Sequence, residues 1–300
     1  MPDKRVATDD GLSLAVHEDG DPARPTVVCV HGYPDNSSIW KGVAERLSER
    51  FHVVRYDVRG AGESDKPRSL RAYRLDRLVS DLEAVIEAVS PHHPVHLLAH
   101  DWGSIQSWHA VTGELSTRLS SFTSISGPCL DHAAHWMRSR LRPRPRALRE
   151  LVSQLLRSGY IGFFHLAPLP ELLWRTEFGR RIPERLEWLE HREAAADGTP
   201  ARARRNLPDL LHGLKLYRAN MRGRFTAPQR RWTDVPVQVL APTSDAFVSV
   251  ALQTDIAPWV RRLWVHEIAG GHWLPRNRPA TVADHTARHI ERVDPGAEAR

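Results

Sequence analysis

Cysteine is nearly absent: two in 300 residues. That is too few for a disulfide framework, and Cys29 lies inside an apolar run, so both are expected as reduced thiols of a cytoplasmic protein. No stretch approaches the roughly 20 consecutive apolar residues of a membrane helix. The opening Met1-Pro2-Asp3-Lys4-Arg5 has no apolar core of a signal peptide. No dinucleotide-binding glycine pattern and no ligand-spaced cluster of His, Cys, Asp or Glu occurs; His92-His93, between Pro91 and Pro94, reads as a loop. Neither a cofactor nor a metal is expected. Acidic residues are outnumbered, 36 against 42 Lys and Arg, for a formal charge of +6. The excess sits in one segment: residues 131–231 hold 21 basic and 10 acidic side chains. These are almost all Arg, scattered among Leu, Trp and Pro without a nucleic-acid motif. They read as solvated helix faces, with recruitment of an acidic partner or ligand as the alternative.

What is present is the patterning of a large α/β protein, with 41% hydrophobic residues. Residues 6–8 and 12–18 form a hairpin pattern turned by Asp9-Asp10-Gly11. Short, nearly continuous apolar runs follow at 26–30, 51–56, 95–98, 122–125, 235–240 and 263–268. Runs buried on both faces belong to a parallel sheet covered by helices. Residues 39–47 are helical in pattern, and Leu75, Leu78, Val79, Leu82, Val85, Ile86 and Val89 keep helical spacing. The fold class is therefore α/β, a doubly wound, mostly parallel sheet. The alternation breaks between about 130 and 231, where helical stretches are punctuated by Pro143, Pro145, Pro168, Pro170, Pro183, Pro200 and Pro208. This predicts a core of residues 1–130 and 232–300 with a helical cap, or lid, at 131–231. Residues 294–300 read as a frayed tail.

The chemistry-bearing positions fall at strand ends. The run 95–98 leads into Ala99-His100-Asp101-Trp102-Gly103-Ser104, a strand entering a small-x-nucleophile-x-small turn, the form of a nucleophile elbow. An aspartate at a strand end is by default a helix cap. Small residues wherever a sharp corner demands them single this one out. A carboxylate suits attack on a saturated electrophilic carbon, with hydrolysis of the resulting ester. After the run 26–30 comes His31-Gly32-Tyr33-Pro34, a turn that brings the Tyr33 N–H toward the elbow. With the Trp102 N–H it makes a pair of oxyanion donors, and Pro34 suits a cis peptide. An ester needs a water-activating base. Among 17 histidines, His272 is distinguished by its Gly270-Gly271 approach after the last strand. Asp245, in Ala241-Pro242-Thr243-Ser244-Asp245, follows the preceding strand and is placed to orient the imidazole. His31, Pro34, Trp136, Trp188 and Phe247, with Trp174, are candidates for lining a broad apolar pocket; core packing is the alternative for the aromatics.

Together these motifs resemble the epoxide hydrolase branch of the α/β-hydrolase superfamily, over essentially the whole chain. His31-Gly32-Tyr33-Pro34 and His100-Asp101-Trp102-Gly103 match that branch's motifs, and Asp57-Val58-Arg59-Gly60-Ala61-Gly62-Glu63-Ser64 resembles an architectural loop of the family. Ala99 stands where the family often has Gly. The resemblance implies conversion of an epoxide and water to a vicinal diol through an ester on Asp101, without a cofactor. It also implies that two cap tyrosines, Tyr160 and Tyr217, hold the epoxide oxygen. If the aromatics line the pocket, the substrate is bulky, such as a polycyclic epoxide of secondary metabolism. Haloalkane or haloacid dehalogenases use the same three residues, but the Asn they often carry where Tyr33 stands is missing. A ligand-binding protein without turnover is the reading of another class. The chain also resembles the hydrolase part of actinobacterial proteins that join such a domain to a short-chain dehydrogenase, and that second part is expected to be absent. No nucleic-acid or membrane partner is expected; the chain itself is read as a monomer or homodimer.

Overall fold

The structure is a computed structural model that describes residues 1–142, 144–193 and 205–295. Pro143, Pro200 and residues 296–300 of the expected tail lie outside the described residues. Eight strands form one sheet: β1 (Lys4–Ala7), β2 (Ser13–Asp19), β3 (Thr26–Val30), β4 (His52–Tyr56), β5 (Val95–His100), β6 (Leu119–Ile125), β7 (Val237–Pro242) and β8 (Leu263–Ile268). Their order is β1-β2-β4-β3-β5-β6-β7-β8. The hairpin pairs antiparallel and joins β4 antiparallel; β3 to β8 run parallel.

Strand periodicity sorts the core into two layers. Val28, Val30, Val54, Tyr56, Leu97, Ala99 and Phe122 share one cluster with α2 (Leu75–Val89) and α3 (Trp102–Val111). Val27, Cys29, Val53, Leu98, Ile125 and Leu240 face the other way, against α1 (Lys41–Leu47) and a C-terminal helix. Covering both faces is what lets the central strands be apolar throughout.

Between β6 and β7 the described residues hold helices and no strand: α4 (Leu130–Arg140), α5 (Pro145–Arg157), α6 (Gly159–Phe164), α7 (Leu169–Arg175), α8 (Glu177–Arg180), α9 (Ile182–Glu193) and α10 (Leu207–Thr226). After β7 come α11 (Val250–Thr254), α12 (Leu274–Asn277) and α13 (Pro279–Val293). Helix α10 lies directly on the core. A Cβ on Gly213 would come within 2.0 Å of the Tyr33 ring, and the Asn220 side chain bonds the backbone of Leu75 and Tyr73 at 2.9 and 2.8 Å. A buried ion cluster gives a second attachment. Arg276 reaches Asp35 at 2.5 Å and Glu187 at 2.8 Å, and Arg205 reaches Glu187 at 2.7 Å. Among the described residues no helix is long and apolar enough to cross a membrane.

The chain leaves β3 outward to β4 and then crosses back to β5. Strand order therefore reverses between β3 and β5, and a crevice opens beyond their carboxyl ends. The loops after β3, β5, β7 and β8 all meet there.

Candidate active site

Asp101, the residue after β5, has φ +52° and ψ −124°, a positive-φ conformation that costs a non-glycine residue on the order of 1–3 kcal/mol. The surroundings leave it no relaxed alternative. A Cβ on Gly32 would sit 2.3 Å from its Oδ1, one on Gly127 2.1 Å from its carbonyl oxygen, and one on Gly103 2.2 Å from the Val30 carbonyl. The Asp101 N–H donates to the Ile125 carbonyl at 3.0 Å, and its own carbonyl accepts from Ile105 at 2.9 Å. The side chain is thus thrust out of the sheet edge. Its Oδ1 accepts the Tyr33 N–H at 2.8 Å, and the Trp102 N–H also donates to the carboxylate. Tyr33–Pro34 is cis.

Across the crevice, His272 Nε2 stands 3.6 Å from Asp101 Oδ2. Its Nδ1 lies 3.3 Å from both oxygens of Asp245. Asp245 Oδ1 also accepts the Phe247 and Val248 N–H groups, at 2.8 and 3.0 Å, so its loop is folded around the carboxylate. Burial opposes a charge on His272, but Asp245, Asp101 and Glu190 outweigh it and raise the imidazole to about 9. Burial lifts Asp101 to about 6 against the pull of His272 and the two N–H donors. Burial works on Asp245 in the same sense, but the His272 charge and hydrogen bonds leave it below its ordinary value. His100, its ring tilted 56° and 4.8 Å from that of His272, bonds the His272 carbonyl at 2.8 Å, and burial drops it to about 3.

Glu190, on α9, is a participant that sequence reasoning missed. Its Oε2 accepts the His272 N–H at 2.8 Å and its Oε1 the Ala246 N–H at 2.9 Å. A Cβ on Gly271 would sit 2.5 Å from Oε2, so the Gly270-Gly271 approach makes room for this carboxylate. Burial raises Glu190 to about 7, against the favourable charge of His272. Residue type gave no signal for it: in Glu187-Trp188-Leu189-Glu190 both acids are buried and the apolar pair is about half exposed, the reverse of the usual pattern.

Asp101 and His272 form one wall of a cavity of about 190 Å³. Tyr160 and Tyr217 line it as well. Burial, together with the nearby Asp101 charge, raises both phenols above their ordinary value, and their hydroxyls interact with each other. Tyr33, Pro34 and Phe247 also line it, as do Phe163, Phe164, Leu173, Trp174, Ile182, Pro183, Leu186 and Trp273. Trp102 packs beneath, its ring 4.9 Å from that of Tyr217.

Three expected pocket residues lie elsewhere. His31 is buried behind the loop, where Nε2 accepts the Val58 N–H and Nδ1 bonds the Gly32 carbonyl, both at 2.9 Å. It shapes the turn instead of touching the cavity. Trp136 packs on Leu252, donates to Asp255 at 3.2 Å and carries Arg140 over its ring. Trp188 is on the outer face of α9, 48% exposed, because the buried side of that helix is taken by its two acids. Among the described residues no group of three or more His, Cys, Asp or Glu is arranged to hold a metal ion.

Known proteins resemble this chain in sequence and fold. A family model described as the alpha/beta hydrolase fold matches residues 25–278. A Mycobacterium tuberculosis protein named "Probable oxidoreductase EphD" is 37% identical over 292 residues, covering 93% of this chain and 48% of the relative. The chain thus spans about half the length of that relative. Epoxide hydrolase 3 of Xenopus tropicalis is 26% identical over 309 residues, 91% of this chain and 73% of that protein. Among solved structures, a mutant of an epoxide hydrolase from Bacillus megaterium, complexed with its diol product, superposes with a TM-score of 0.79 at 21% identity, over 96% of this chain and 99% of that one. Its likeness is one of fold. The strained elbow at the end of β5, the acid and histidine after β7 and β8, and a match that runs from before β3 to α12 lead to one assignment: this chain belongs to the α/β hydrolase fold family.

Proposed function

We propose that the protein is an epoxide hydrolase that forms a covalent ester on Asp101 and releases a vicinal diol, with residues 131–231 acting as a cap over the site. One observation carries the reading: a buried carboxylate has one oxygen bound by backbone N–H and the other turned to His272, at a cavity that also holds two phenols. Asp101 Oδ2 attacks a ring carbon and the C–O bond breaks. Tyr160 and Tyr217, kept protonated, hydrogen-bond the departing oxygen and supply its proton. His272 Nε2 then takes a proton from water, and the hydroxide adds to the ester carbon of Asp101. The Tyr33 and Trp102 N–H groups hold the resulting oxyanion, each worth about 3 kcal/mol by analogy with other oxyanion donors. Collapse expels the diol alkoxide, which takes its proton from His272, and the acid proton left on Asp101 returns to the tyrosine that gave one up, restoring carboxylate and phenol. Relatives and folds named epoxide hydrolases support this reading.

Apolar walls at Phe163, Phe164, Leu173 and Trp174 suit an epoxide carried on a bulky apolar group, the polycyclic natural-product class included. The site needs no cofactor, and we place its work in the cytoplasm. A single turnover in ¹⁸O-water tests the chemistry. Label is expected in the Asp101 carboxylate, and a His272→Gln variant is expected to accumulate the alkyl ester. Label passing directly into diol with none in Asp101 overturns the ester route. Halide release from haloalkanes without any diol from epoxides overturns the substrate class.

A further inference from the structure

Of the fifteen large apolar side chains exposed among the described residues, eleven lie between positions 141 and 189. Helix α5 shows the anomaly most clearly. Leu148, Val152, Leu155 and Leu156 form a stripe at i, i+4, i+7 and i+8, the face an amphipathic helix ordinarily buries. All four are exposed, from 46% to 78%. The helix is fastened instead by its edge, where Gln154 accepts the Ser249 N–H at 2.8 Å and donates to the Phe247 carbonyl at 2.9 Å. Helix α7 repeats the arrangement, with Leu169 and Leu172 exposed and Trp174 turned in. Exposed arginines flank these faces: Arg144 just before α5, Arg146 and Arg149 on it, and Arg175, Arg180 and Arg185 farther on.

We propose that this outer face of the helical segment docks on the surface of an anionic lipid bilayer. An apolar stripe bordered by arginines is the pattern of a helix lying in the headgroup plane, where aliphatic side chains enter the acyl boundary and guanidinium groups meet phosphates. Charge decides among the other occupants. A second copy meeting this face through a two-fold axis would set arginines against arginines. Residues 194–204, the stretch of chain following α9, contain no Leu, Ile, Val, Met, Phe, Tyr or Trp, so they offer no large apolar side chain to cover the stripe. Helices α7 and α9 also line the cavity through Leu173, Ile182 and Leu186. Docking therefore brings the cavity walls to the phase in which apolar molecules dissolve.

The test is co-sedimentation with vesicles of phosphatidylcholine, with and without phosphatidylglycerol. The protein is expected to pellet with the anionic vesicles and not with phosphatidylcholine alone, and binding is expected to weaken as salt rises. The triple variant Leu148→Glu, Val152→Glu, Leu156→Glu is expected to bind at least tenfold more weakly, while keeping its melting temperature and its turnover of a water-soluble epoxide. No pelleting with anionic vesicles, or pelleting unchanged in the triple variant, overturns the proposal. So does a wild-type dimer in solution that the triple variant converts to monomer, because the face would then belong to a second copy. The pelleting and oligomer readouts do not depend on the reaction assigned to the cavity.

Discussion

Replacing Glu190 by Gln separates two effects that this carboxylate exerts at once. In the folded chain burial raises it from an ordinary 4.5 to about 7, against the favourable charge of His272. Between those two values the unfolded chain has already released the proton while the folded chain keeps it. Ionisation of Glu190 therefore works against the fold in that window, and stability is lost as pH rises through it. At 1.36 kcal/mol per pH unit the full shift corresponds to about 3 kcal/mol. Gln cannot ionise, so relative to wild type the variant should gain about that much between pH 4.5 and pH 7 and nothing further above it. The bonding side acts at every pH. The amide oxygen can accept one of the two N–H groups at His272 and Ala246, but its NH₂ then faces the other, and an unsatisfied buried N–H costs about 1–3 kcal/mol. Urea unfolding of both proteins across this range measures the difference. Two stability curves that stay parallel from pH 4.5 to 8 would refute the reasoning. Turnover supplies a separate reading: with one fewer carboxylate beside it, His272 should titrate at lower pH, and the acid limb of kcat, below which the base is protonated, should move the same way.

Gly32→Ala should damage catalysis more than stability, because its Cβ would displace the Asp101 carboxylate from 2.3 Å away; single-turnover ester formation against the melting temperature checks this. Tyr217→Phe removes one of two donors to the leaving oxygen and should slow alkylation by about 10²–10³-fold while leaving hydrolysis of a preformed ester near wild type, read by quenched-flow with an aromatic epoxide. Attack needs Asp101 ionised, and burial holds it at about 6, so kcat/KM should fall as pH drops below about 6; a profile flat to pH 4.5 contradicts that assignment, the apparent value belonging to the coupled Asp101–His272 pair. Glu187→Ala leaves Arg205 and Arg276 facing Asp35 alone and should cost about 3–5 kcal/mol in urea unfolding.

What the sequence disclosed follows from where chemistry sits in a parallel sheet. Asp101, Asp245 and His272 stand just beyond strands, where a carboxylate or imidazole flanked by Gly, Ala or Ser interrupts an apolar run and is conspicuous. Glu190 stands within a helix, where acids are assumed to face water. Only a burial pattern opposite to its neighbours betrays it, and that requires coordinates. The two misplaced tryptophans share this cause, since helical position alone does not say which side of α4 or α9 meets the cavity. Strand limits moved for chemical reasons too. β6 begins at Leu119, not 122, because Ser121 inside the strand is paired to His96 at 2.8 Å and hid its start. β5 runs on to His100, whose imidazole is buried against the His272 carbonyl.

The choice of a carboxylate in the elbow also sets when the base becomes active. Asp245, Asp101 and Glu190 all support a proton on His272, so at rest the imidazole is held as a cation beside an anion 3.6 Å away. A cation cannot deprotonate water. On the proposed route, alkylation converts Asp101 from a carboxylate to a neutral ester and removes one of those supporting charges. Any opposite charge so close favours the protonated imidazole, and its loss must lower the His272 pKa toward the range where the neutral base exists. The step that creates the ester thus also releases the base that hydrolyses it. A serine in the same elbow has no charge to surrender, so its histidine would have to be neutral from the start. The sign of the coupling follows from the geometry: an Asp101→Asn variant, neutral like the ester, should show His272 titrating below its wild-type value by NMR, and an unchanged or higher value would break the argument.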